Sequence, residues 1–432
     1  MSMDTITRLV DGTLPDPDGG DPLSVPTRRV VIADSLAGYE AEPIWDLDFE
    51  APFAVVSDPM THDVMGGRVE RALGSIGAVV PVHLGDRPHA DMETAGKLMA
   101  QTAEAATIIA VGSGTINDLS KFAAARQNKR CAVYATAPSM NGYTSVNAAI
   151  TENGLKKSLA AVAPEAVLMD LDVLAAAPVR MIRSGLGDSV CRPTAQTDWL
   201  LSHLLFDGPY REAPFALFAE DEEALFAEPE ALVAGDLEAM GRLARTLVLS
   251  GFGMTICGGS YPASQGEHLI SHYIEMMAPP EWEEVFHGEQ IAVTTGVMAR
   301  LQERMLEGER PEVRPSSPTK DSVTAHFGAE TGASCWDEFS HKKADQAQAD
   351  RLNARLEERW PAMCETIAAT ALPADQIHSI LTRAGAPTTF ADIGLERDFF
   401  AGAVRHAREI RNRYTFLDLA ADAGRLDVDA LI

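Results

Sequence analysis

Basic residues are scarce in this 432-residue chain: 36 lysines and arginines stand against 63 aspartates and glutamates, so the formal net charge is −27. A surface this acidic repels nucleic-acid phosphates and anionic membranes, and we expect neither as a partner. The charge does not exclude an anionic small substrate, because a local basic pocket can exist in an acidic protein.

Long apolar runs are also missing. The sequence contains no stretch of about 18 apolar residues, so it predicts no membrane-spanning helix. The N-terminus lacks the apolar core of a secretory signal, and the five cysteines are dispersed without a CxxC pair. Dispersed cysteines in odd number favour reduced thiols, and we therefore predict a cytoplasmic protein.

The first 180 residues alternate short β-branched runs with segments that carry apolar residues at helical spacing. This alternation predicts βαβ units and a largely parallel sheet covered by helices on both faces. The strands are predicted at Arg29–Ala33, Phe53–Ser57, Val79–Leu84, Thr107–Val111, Cys131–Thr136 and Ala166–Met169. The intervening helices are predicted at His62–Ile76, Ala90–Ala105 and Thr115–Gln127.

After about residue 180 the strand-like runs largely disappear, and long segments rich in Ala, Leu and Glu follow. This composition predicts an all-helical second half. We therefore expect an α/β domain with a parallel sheet at 29–178 and a helical domain at 179–432. Residues 1–28 are rich in Pro, Gly and Asp, which indicates a loose N-terminal arm.

A glycine-containing segment, residues 112–116 (GSGTI), follows one predicted strand and precedes a helix. Glycine at such a junction lets the backbone approach a pyrophosphate, and a helix N-terminus favours anions. The segment is not a full GxGxxG motif, and glycine-rich turns also occur for packing alone. Two interpretations of Asp58, at another strand end, stay open: a hydrogen-bond acceptor for a ribose diol, or a turn-initiating residue before Pro59.

Three of the eleven histidines fall in the segment 267–287. His268 and His272 are four residues apart, which places them on one face of a helix. His287 follows after a Pro-Pro break, and two helices joined by this turn would bring the imidazoles together. Zn²⁺ and Fe²⁺ often bind two histidines and a carboxylate, so the spacing predicts a metal site or, alternatively, ordinary helical histidines.

Seven segments occur in one order along the chain. They are GSGTINDLSKF, TAPSMNGYTS, GLKKS, SGLGDSVCR, ASQGEHLISHYIE, FHGEQIAV and RNRYTFLDLA. Together they resemble the glycerol-1-phosphate dehydrogenases, which belong to the superfamily of metal-dependent alcohol dehydrogenases, glycerol dehydrogenases and dehydroquinate synthases. The resemblance extends from Val30 to Leu419, and residues 310–345 resemble the family less than the rest. It implies an N-terminal Rossmann-like domain followed by a helical domain.

The resemblance also implies roles for individual residues. Asp188, His268 and His287 correspond to the metal ligands of the family, and His272 to a substrate-contacting histidine that hydrogen-bonds a hydroxyl or relays a proton. The residues expected over the dinucleotide pyrophosphate are Gly112, Ser113, Gly114, Thr115, Ile116 and Asp118. Further cofactor contacts are expected from Thr136, Ser139 and Ser145.

One residue departs from the family pattern. The family motif reads Ser-Met-Asp-Gly-Tyr and its Asp contacts the substrate, whereas this chain has Asn141. Asn keeps the size and the hydrogen-bonding capacity of Asp but loses its charge, which leaves the preferred substrate open. Lys156 and Lys157, predicted in a Gly-Leu-Lys-Lys turn, would either meet a substrate phosphate or form a solvated basic turn.

The resemblance implies an NAD(P)-dependent, metal-dependent reduction of dihydroxyacetone phosphate to glycerol 1-phosphate. It implies NAD(H) or NADP(H) and one divalent metal, with Zn²⁺ ahead of Fe²⁺, Ni²⁺ or Co²⁺. Asp58 would favour NAD(H) modestly, because a carboxylate repels a 2′-phosphate. We expect a triose phosphate as the small-molecule substrate and a homo-oligomer of two or more chains.

Other functions remain alternatives. A related polyol or glycerol dehydrogenase would use the same cofactor and metal, as would a dehydroquinate-synthase-like cyclase, although its fuller basic substrate motifs are not found. A metallohydrolase has no use for the glycine segment, and the HExxH motif is missing. A non-catalytic metal-binding scaffold is a further alternative, and the intact ligand set argues against it.

Overall fold

The computed structural model describes residues 4–152 and 155–432. The chain divides into two compact units. Unit 1 contains the chain up to Ser189 together with Arg211–Ser260, and unit 2 contains Val190–Tyr210 and Tyr261–Ile432. Each unit is therefore built from two chain segments, whereas the sequence indicated a single boundary near residue 178.

Unit 1 is organised around parallel β-strands. The strands of the chain are β1 Arg29–Ala33, β2 Phe53–Ser57, β3 Val79–His83, β4 Thr107–Gly112, β5 Arg130–Ala135, β6 Asn147–Glu152, β7 Leu155–Ala160 and β8 Ala166–Asp170. Six of them form a parallel sheet in the order β1-β8-β5-β4-β2-β3. All six strands predicted from the sequence are confirmed to within one residue at each end.

Burial explains why these six segments were recognisable. β2, β4 and β8 are buried along their whole length, and a central parallel strand covered on both faces has a continuous apolar sequence. β3 lies at the edge of the sheet and is more exposed. Because all six strands run in one direction, the residues that follow β2, β4 and β5 lie at the same end of the sheet, where the strands have their carboxyl ends.

The antiparallel hairpin β6–β7 was not predicted. It is polar, and only Ala148 and Ile150 are fully buried on β6, so its alternation is short. Lys156 and Lys157 lie in β7, so the predicted turn at these lysines is wrong; Gly154 of that motif lies outside the described residues. Lys157 pairs with Glu152 at 2.8 Å across the hairpin.

Helices account for most of the remaining chain. In chain order they are α1 Thr5–Val10, α2 Glu42–Asp46, α3 Pro59–Thr61, α4 Gly67–Leu73, α5 Met92–Gln101, α6 Gly114–Gln127, α7 Leu171–Ala175, α8 Val179–Val190, α9 Arg192–Phe206, α10 Ala213–Ala216, α11 Ala219–Ala227, α12 Pro229–Val233, α13 Leu237–Ile256, α14 Gly266–Met277, α15 His287–Glu307, α16 Lys320–Phe327, α17 Ala329–Ser340, α18 Gln346–Ala368, α19 Ala374–Ala384, α20 Arg397–His406 and α21 Phe416–Asp422. A π-helical turn, His62–Gly66, joins α3 to α4. The predicted change from an α/β first half to a helical second half is confirmed.

Helices α10 to α13 belong to unit 1, although they follow the predicted boundary. The long helix α13 packs against α7 and β1 and buries residues along most of its length. Because of this packing, residues 211–260 belong to unit 1, although their helical composition had assigned them to the second domain.

The N-terminal segment is not the loose arm that its composition indicated. Helix α1 buries Ile6 and Leu9. Asp16 and Asp18 both form ion pairs with Arg211, and the Asp18 carboxylate lies 3.1 Å from the Arg211 guanidinium. The aspartates that suggested disorder are thus the residues that anchor the segment to unit 1.

Unit 2 contains helices and loops but no strand among its described residues, and its apolar core joins side chains from α9, α14, α15, α18, α20 and α21. Within this core α14 and α15 pack together, with Ser271 Oγ donating a hydrogen bond to Gln290 Oε1 at 3.0 Å. Gly266 begins α14 where a Cβ would lie only 2.4 Å from Met298 Cε. Within residues 4–152 and 155–432, no helix is long and apolar enough to cross a membrane.

Candidate active site

The junction between β4 and α6 is the first element of the site. Gly112 is the last residue of β4, and a Cβ there would lie 2.5 Å from the Cβ of Ile116, so the close first turn of the helix requires glycine. Ser113 precedes α6, but its side chain makes no capping hydrogen bond. The first N–H groups of a helix lack intrahelical partners, so this 14-residue helix presents donors and a positive dipole end to an anion.

Two charged residues of α6 form hydrogen bonds with strand β6 and with the loop before it. Asp118 Oδ2 accepts a hydrogen bond from the backbone N–H of Ala149 on β6 at 3.0 Å. Lys121 is fully buried and donates to the carbonyl of Gly142 at 2.8 Å and to Ser145 Oγ at 2.9 Å. Burial raises the pKa of Asp118 and lowers the pKa of Lys121. Sequence reasoning missed Lys121; its signal was a lysine three residues after Asp118 on a buried helix.

The segment after β5 contains the other expected cofactor contacts. The backbone N–H of Thr136 donates to the last carbonyl of β4 at 3.2 Å, which joins the two strand ends. The carbonyl of Ser139 accepts a hydrogen bond from Ser184 Oγ on α8 at 3.0 Å. The Ser145 hydroxyl is buried and bonded to backbone carbonyls of its own loop, so its contact with a cofactor stays a prediction.

Asn141 and Asp188, an expected substrate contact and an expected metal ligand, are joined within unit 1. The backbone N–H of Asn141 donates to Asp188 Oδ2 at 2.8 Å. Asp188 is 2% exposed and lies on α8. One turn earlier on that helix, a Cβ at Gly185 would lie 1.7 Å from the carbonyl oxygen of Pro138. Glycine at 185 therefore allows α8 to approach the loop that carries Asn141.

Asp58 forms a capping box at the start of α3. Its Oδ1 accepts a hydrogen bond from the backbone N–H of Thr61 at 2.7 Å, and its own N–H donates to Thr61 Oγ1 at 2.9 Å. Asp58 thus has the turn-initiating role that was one of the two interpretations of its sequence position. The contact with a ribose stays a prediction.

The three histidines identified by spacing lie together in unit 2. His268 and His272 are one turn apart on α14, and His287 is the first residue of α15. The ring centroids are 5.1 Å apart for His268 and His287 and 6.0 Å apart for the other two pairs. The expectation that two helices bring these imidazoles together is confirmed.

A carboxylate lies beside the Nδ1 atom of each imidazole. Glu267 Oε1 is 2.9 Å from Nδ1 of His268, and Glu275 Oε2 is 2.9 Å from Nδ1 of His272. Glu275 Oε1 is 3.5 Å from Nδ1 of His287, an ion-pair distance without a hydrogen bond. A carboxylate at Nδ1 favours the tautomer in which Nε2 carries the lone pair. Sequence reasoning missed both glutamates.

His272 is neutral at physiological pH. Burial lowers its pKa to about 3, Glu275 opposes the shift, and the positive charge of Arg411 adds to it. Burial also lowers the pKa of Arg411, while Glu338 and Glu275 act in the opposite direction. Arg411, the first residue of the RNRYT segment, is thus electrostatically coupled to the histidine cluster, a role that its sequence position did not indicate.

A second set of potential ligands overlaps the first within unit 2. Cys191, Glu267 and His268 are buried, and each offers a ligand atom within 4.8 Å of the others. Glu267 Oε2 is buried without a hydrogen bond in the described part of the chain. Sequence reasoning did not consider this set, because Cys191 is far from the histidines in sequence.

Comparison with known proteins places these features in a family context. A family model described as iron-containing alcohol dehydrogenase matches residues 31–178. The NAD(P)⁺-dependent glycerol-1-phosphate dehydrogenase of Pyrococcus furiosus is 31% identical over 274 residues, which are 63% of this chain and 78% of the relative. That of Methanosarcina mazei is 35% identical over 277 residues, 63% of this chain and 76% of the relative. That of Bacillus licheniformis is 26% identical over 411 residues, 94% of this chain and 91% of the relative.

Solved structures show the same fold at lower identity. The glycerol dehydrogenase of Schizosaccharomyces pombe has a TM-score of 0.63 at 17% identity, covering 94% of this chain and 89% of its own. The sulfoacetaldehyde reductase of Bifidobacterium kashiwanohense, solved in complex with NAD⁺, has a TM-score of 0.59 at 16% identity, covering 94% of this chain and 96% of its own.

Proposed function

Because the chain belongs to the family of glycerol-1-phosphate dehydrogenases, we propose that it catalyses the reversible reduction of dihydroxyacetone phosphate to glycerol 1-phosphate. It is an NAD(P)-dependent, metal-containing dehydrogenase that acts on a small molecule. The observation that carries the proposal is the three-imidazole cluster of His268, His272 and His287, because it appears on two helices where the family resemblance expected two metal ligands and a substrate contact.

The dinucleotide would lie along the carboxyl edge of the sheet. The N-terminus of α6 and the close turn at Gly112 fit a pyrophosphate, and Thr136 and Ser139 follow the neighbouring strand. When bound, the nicotinamide supplies or accepts the hydride. We further propose that Asp58 gives a modest preference for NAD(H), because its carboxylate repels the 2′-phosphate of NADP(H).

Asp188, His268 and His287 are the residues proposed to hold one divalent metal. Two imidazole nitrogens and one carboxylate oxygen suit Zn²⁺, and also Fe²⁺, Ni²⁺ and Co²⁺. The fit is supported by the burial of Asp188 and by Glu267, which engages Nδ1 of His268 and leaves Nε2 with the lone pair. When bound, a divalent metal acts as a Lewis acid on the substrate oxygen.

His272 and Asn141 are the proposed substrate contacts. Because His272 is neutral and its Nδ1 faces Glu275, its Nε2 is suited to accept a hydrogen bond from a substrate hydroxyl. A pKa of about 3 makes the hydroxyl contact a better assignment than proton storage. The amide of Asn141 offers one donor and one acceptor group at the position where the family has a carboxylate.

The phosphate of the proposed substrate needs a cation in an acidic protein. Arg411 meets this need, because it is coupled electrostatically to His272 and its guanidinium can form paired hydrogen bonds with phosphate oxygens. Lys157, which pairs with Glu152, is the alternative cation. The proposed substrate class rests on the family, and Arg411 is the residue that we propose for the phosphate.

A direct test follows the oxidation of NADH and NADPH by absorbance, after metal add-back, with dihydroxyacetone phosphate, dihydroxyacetone and other carbonyls. We expect the highest kcat/KM on dihydroxyacetone phosphate and a loss of activity in a chelator. A higher kcat/KM on free dihydroxyacetone would contradict the proposal and favour a polyol dehydrogenase. Comparing both nucleotides in wild type and Asp58→Ala tests the cofactor preference.

The metal assignment has its own test. Elemental analysis of Asp188→Ala and His287→Ala should show less metal per chain than wild type, because each variant removes one of three protein ligands. Full occupancy in both variants would contradict the assignment, whatever the substrate.

We also propose that the enzyme works in the cytoplasm as a homo-oligomer. The cysteines support the compartment: no disulfide joins the five described cysteines, and three of them are buried. Sedimentation analysis of the purified protein would test the oligomer, and a single monomeric species would contradict it.

A further inference from the structure

A second group of metal-binding side chains lies in unit 1, at the edge of the sheet. His62, Glu70 and His83 each offer a ligand atom, and these atoms all lie within 4.8 Å of one another. His62 begins the π-helical turn, Glu70 is on α4, and His83 ends the edge strand β3. None of the three belongs to the motifs that support the proposed dehydrogenase activity.

The local backbone brings these residues together. The π-helical turn His62–Gly66 interrupts the helix between β2 and β3, and such turns are frequent at functional sites. A Cβ at Gly66 would lie 3.3 Å from His62 Cδ2 and 3.4 Å from Ser57 Oγ. The missing side chain therefore leaves room for the imidazole of His62 beside the hydroxyl of Ser57.

The side chains are oriented as a ligand set. Ser57 Oγ lies 3.2 Å from Nδ1 of His83, which fixes that ring and leaves Nε2 for a ligand. His62 Nε2 is 3.5 Å from Glu70 Oε2, and the two imidazole centroids are 4.7 Å apart. Glu70 Oε1 is buried and has no hydrogen-bond partner in the described part of the chain.

We infer that His62, Glu70 and His83 form a second site for a divalent transition-metal ion of the Zn²⁺ class. Two imidazoles and a carboxylate favour Zn²⁺ over Mg²⁺ or Ca²⁺, which prefer oxygen ligands. Ligand atoms about 2.0–2.2 Å from an ion lie at most about 4.4 Å apart, so small side-chain rotations close the set. His83 is exposed, so the ion would enter from solvent and leave its remaining positions to water.

One cation opposes the site. Arg71 Nη1 and the His62 ring both lie within 4 Å of the position that a Cβ of Gly67 would take. The guanidinium charge repels a divalent ion, so Arg71→Gln should bind Zn²⁺ more tightly than wild type. An unchanged or weaker affinity in Arg71→Gln would contradict the placement of the ion beside His62.

The test measures zinc per chain after equilibration with Zn²⁺ and removal of free metal. His83→Asn and Glu70→Gln should each hold one zinc fewer than wild type. His89→Asn is the matched control, because His89 is an exposed histidine outside the cluster. The difference between variants does not depend on metal at the proposed active site.

Thermal unfolding provides the second measurement. Zinc that binds only the folded protein raises its Tm, and the part of this rise that comes from the second site should disappear in His83→Asn and Glu70→Gln but not in His89→Asn. If both cluster variants keep the wild-type zinc content and the wild-type Tm rise, the site does not exist.

Discussion

At the scale of single residues, Glu275 is notable because it lies beside two histidines of the candidate site. Its two oxygens face Nδ1 of His272 and Nδ1 of His287, a proposed substrate contact and a proposed metal ligand. The side chain of Glu275 is 7% exposed, so water screens its interactions with the two imidazoles little. One carboxylate thus holds the tautomer of His272 through a hydrogen bond and places a negative charge beside His287.

We predict that Glu275→Gln weakens metal binding and lowers kcat. The amide oxygen can still accept the hydrogen bond from Nδ1 of His272, but the negative charge beside Nδ1 of His287 is lost, and with it the electrostatic support for a proposed metal ligand. Loss of such supporting partners typically costs about 10–100-fold in metal affinity or activity. Metal competition with a chelator and steady-state kinetics measure the two effects separately.

Glu284→Gln is the control for this substitution, because it makes the same chemical change on an exposed side chain three residues before His287. If Glu275→Gln matches Glu284→Gln in metal affinity and in kcat, Glu275 does not position the histidines. Equal loss in both variants would point to a general effect of removing charge near α15.

We predict that Asn141→Asp changes substrate choice but keeps the metal and the cofactor. Two unit charges about 6 Å apart cost about 3 kcal/mol at an effective dielectric of about 20, so an added carboxylate should change the affinity for a phosphorylated substrate. The variant should stay active on it, because the family motif itself has Asp at this position. The substitution leaves the backbone N–H of residue 141 in place, so its hydrogen bond to Asp188 is retained. The ratio of kcat/KM on phosphorylated and free dihydroxyacetone measures the change, and identical profiles in both proteins would show that position 141 does not touch the substrate.

At the scale of elements, the sequence was sufficient to predict strands that are buried along their whole length. It was insufficient for elements and side chains whose partners are distant in sequence. β2, β4 and β8 were recognisable because both of their faces are covered. The hairpin β6–β7 was missed because its sequence is largely polar and because one of its contacts, from Ala149 to Asp118, joins residues distant in sequence. Glu275 and Lys121 were missed in the site, because only the folded chain reveals their partners.

We predict that Gly185→Ala destabilises the protein and weakens cofactor binding. The new Cβ would lie 1.7 Å from a backbone carbonyl at Pro138, which cannot rotate away as a side chain can. Overpacking of this kind costs about 1–3 kcal/mol and would move the loop after β5, which carries Thr136 and Ser139. Denaturant unfolding and nucleotide titration measure the two effects.

The matched control is Gly241→Ala on α13. A Cβ at Gly241 would meet only Leu171 Cδ1, at an ordinary 3.6 Å. Alanine is favoured over glycine in a helix by about 1 kcal/mol, so this variant should be as stable as wild type or more so. A Gly185→Ala protein that unfolds at the same denaturant concentration as Gly241→Ala would contradict the clash.

At the scale of the whole molecule, one buried carboxyl group ties stability to pH. Asp198 is fully buried and accepts hydrogen bonds from the backbone N–H groups of Gly266 at 3.0 Å and Phe416 at 2.9 Å. Burial and, after it, the charge of Glu267 raise its pKa from 3.8 to about 8, against the effect of those two hydrogen bonds. The folded protein therefore retains a proton that the unfolded chain releases between these two values.

We predict that this contribution to stability is complete below about pH 4 and is lost as the pH rises to about 8. Its slope is at most about 1.4 kcal/mol per pH unit for one proton. Asp198→Asn should flatten the dependence of the free energy of unfolding on pH between 5 and 8, which denaturant titrations at several pH values would reveal. An unchanged slope in the variant would mean that Asp198 does not carry the proton.

The interleaving of the two units has a consequence for how the chain is made. Unit 1 requires Arg211–Ser260, yet α9, which belongs to unit 2, emerges from the ribosome before that segment does. A nascent chain that ends near residue 189 carries the complete parallel sheet but lacks α13, which packs against α7 and β1. The face that α13 covers stays uncovered until α13 has been synthesised, so the earliest point at which unit 1 can finish folding is set by the position of α13 in the sequence rather than by the last strand.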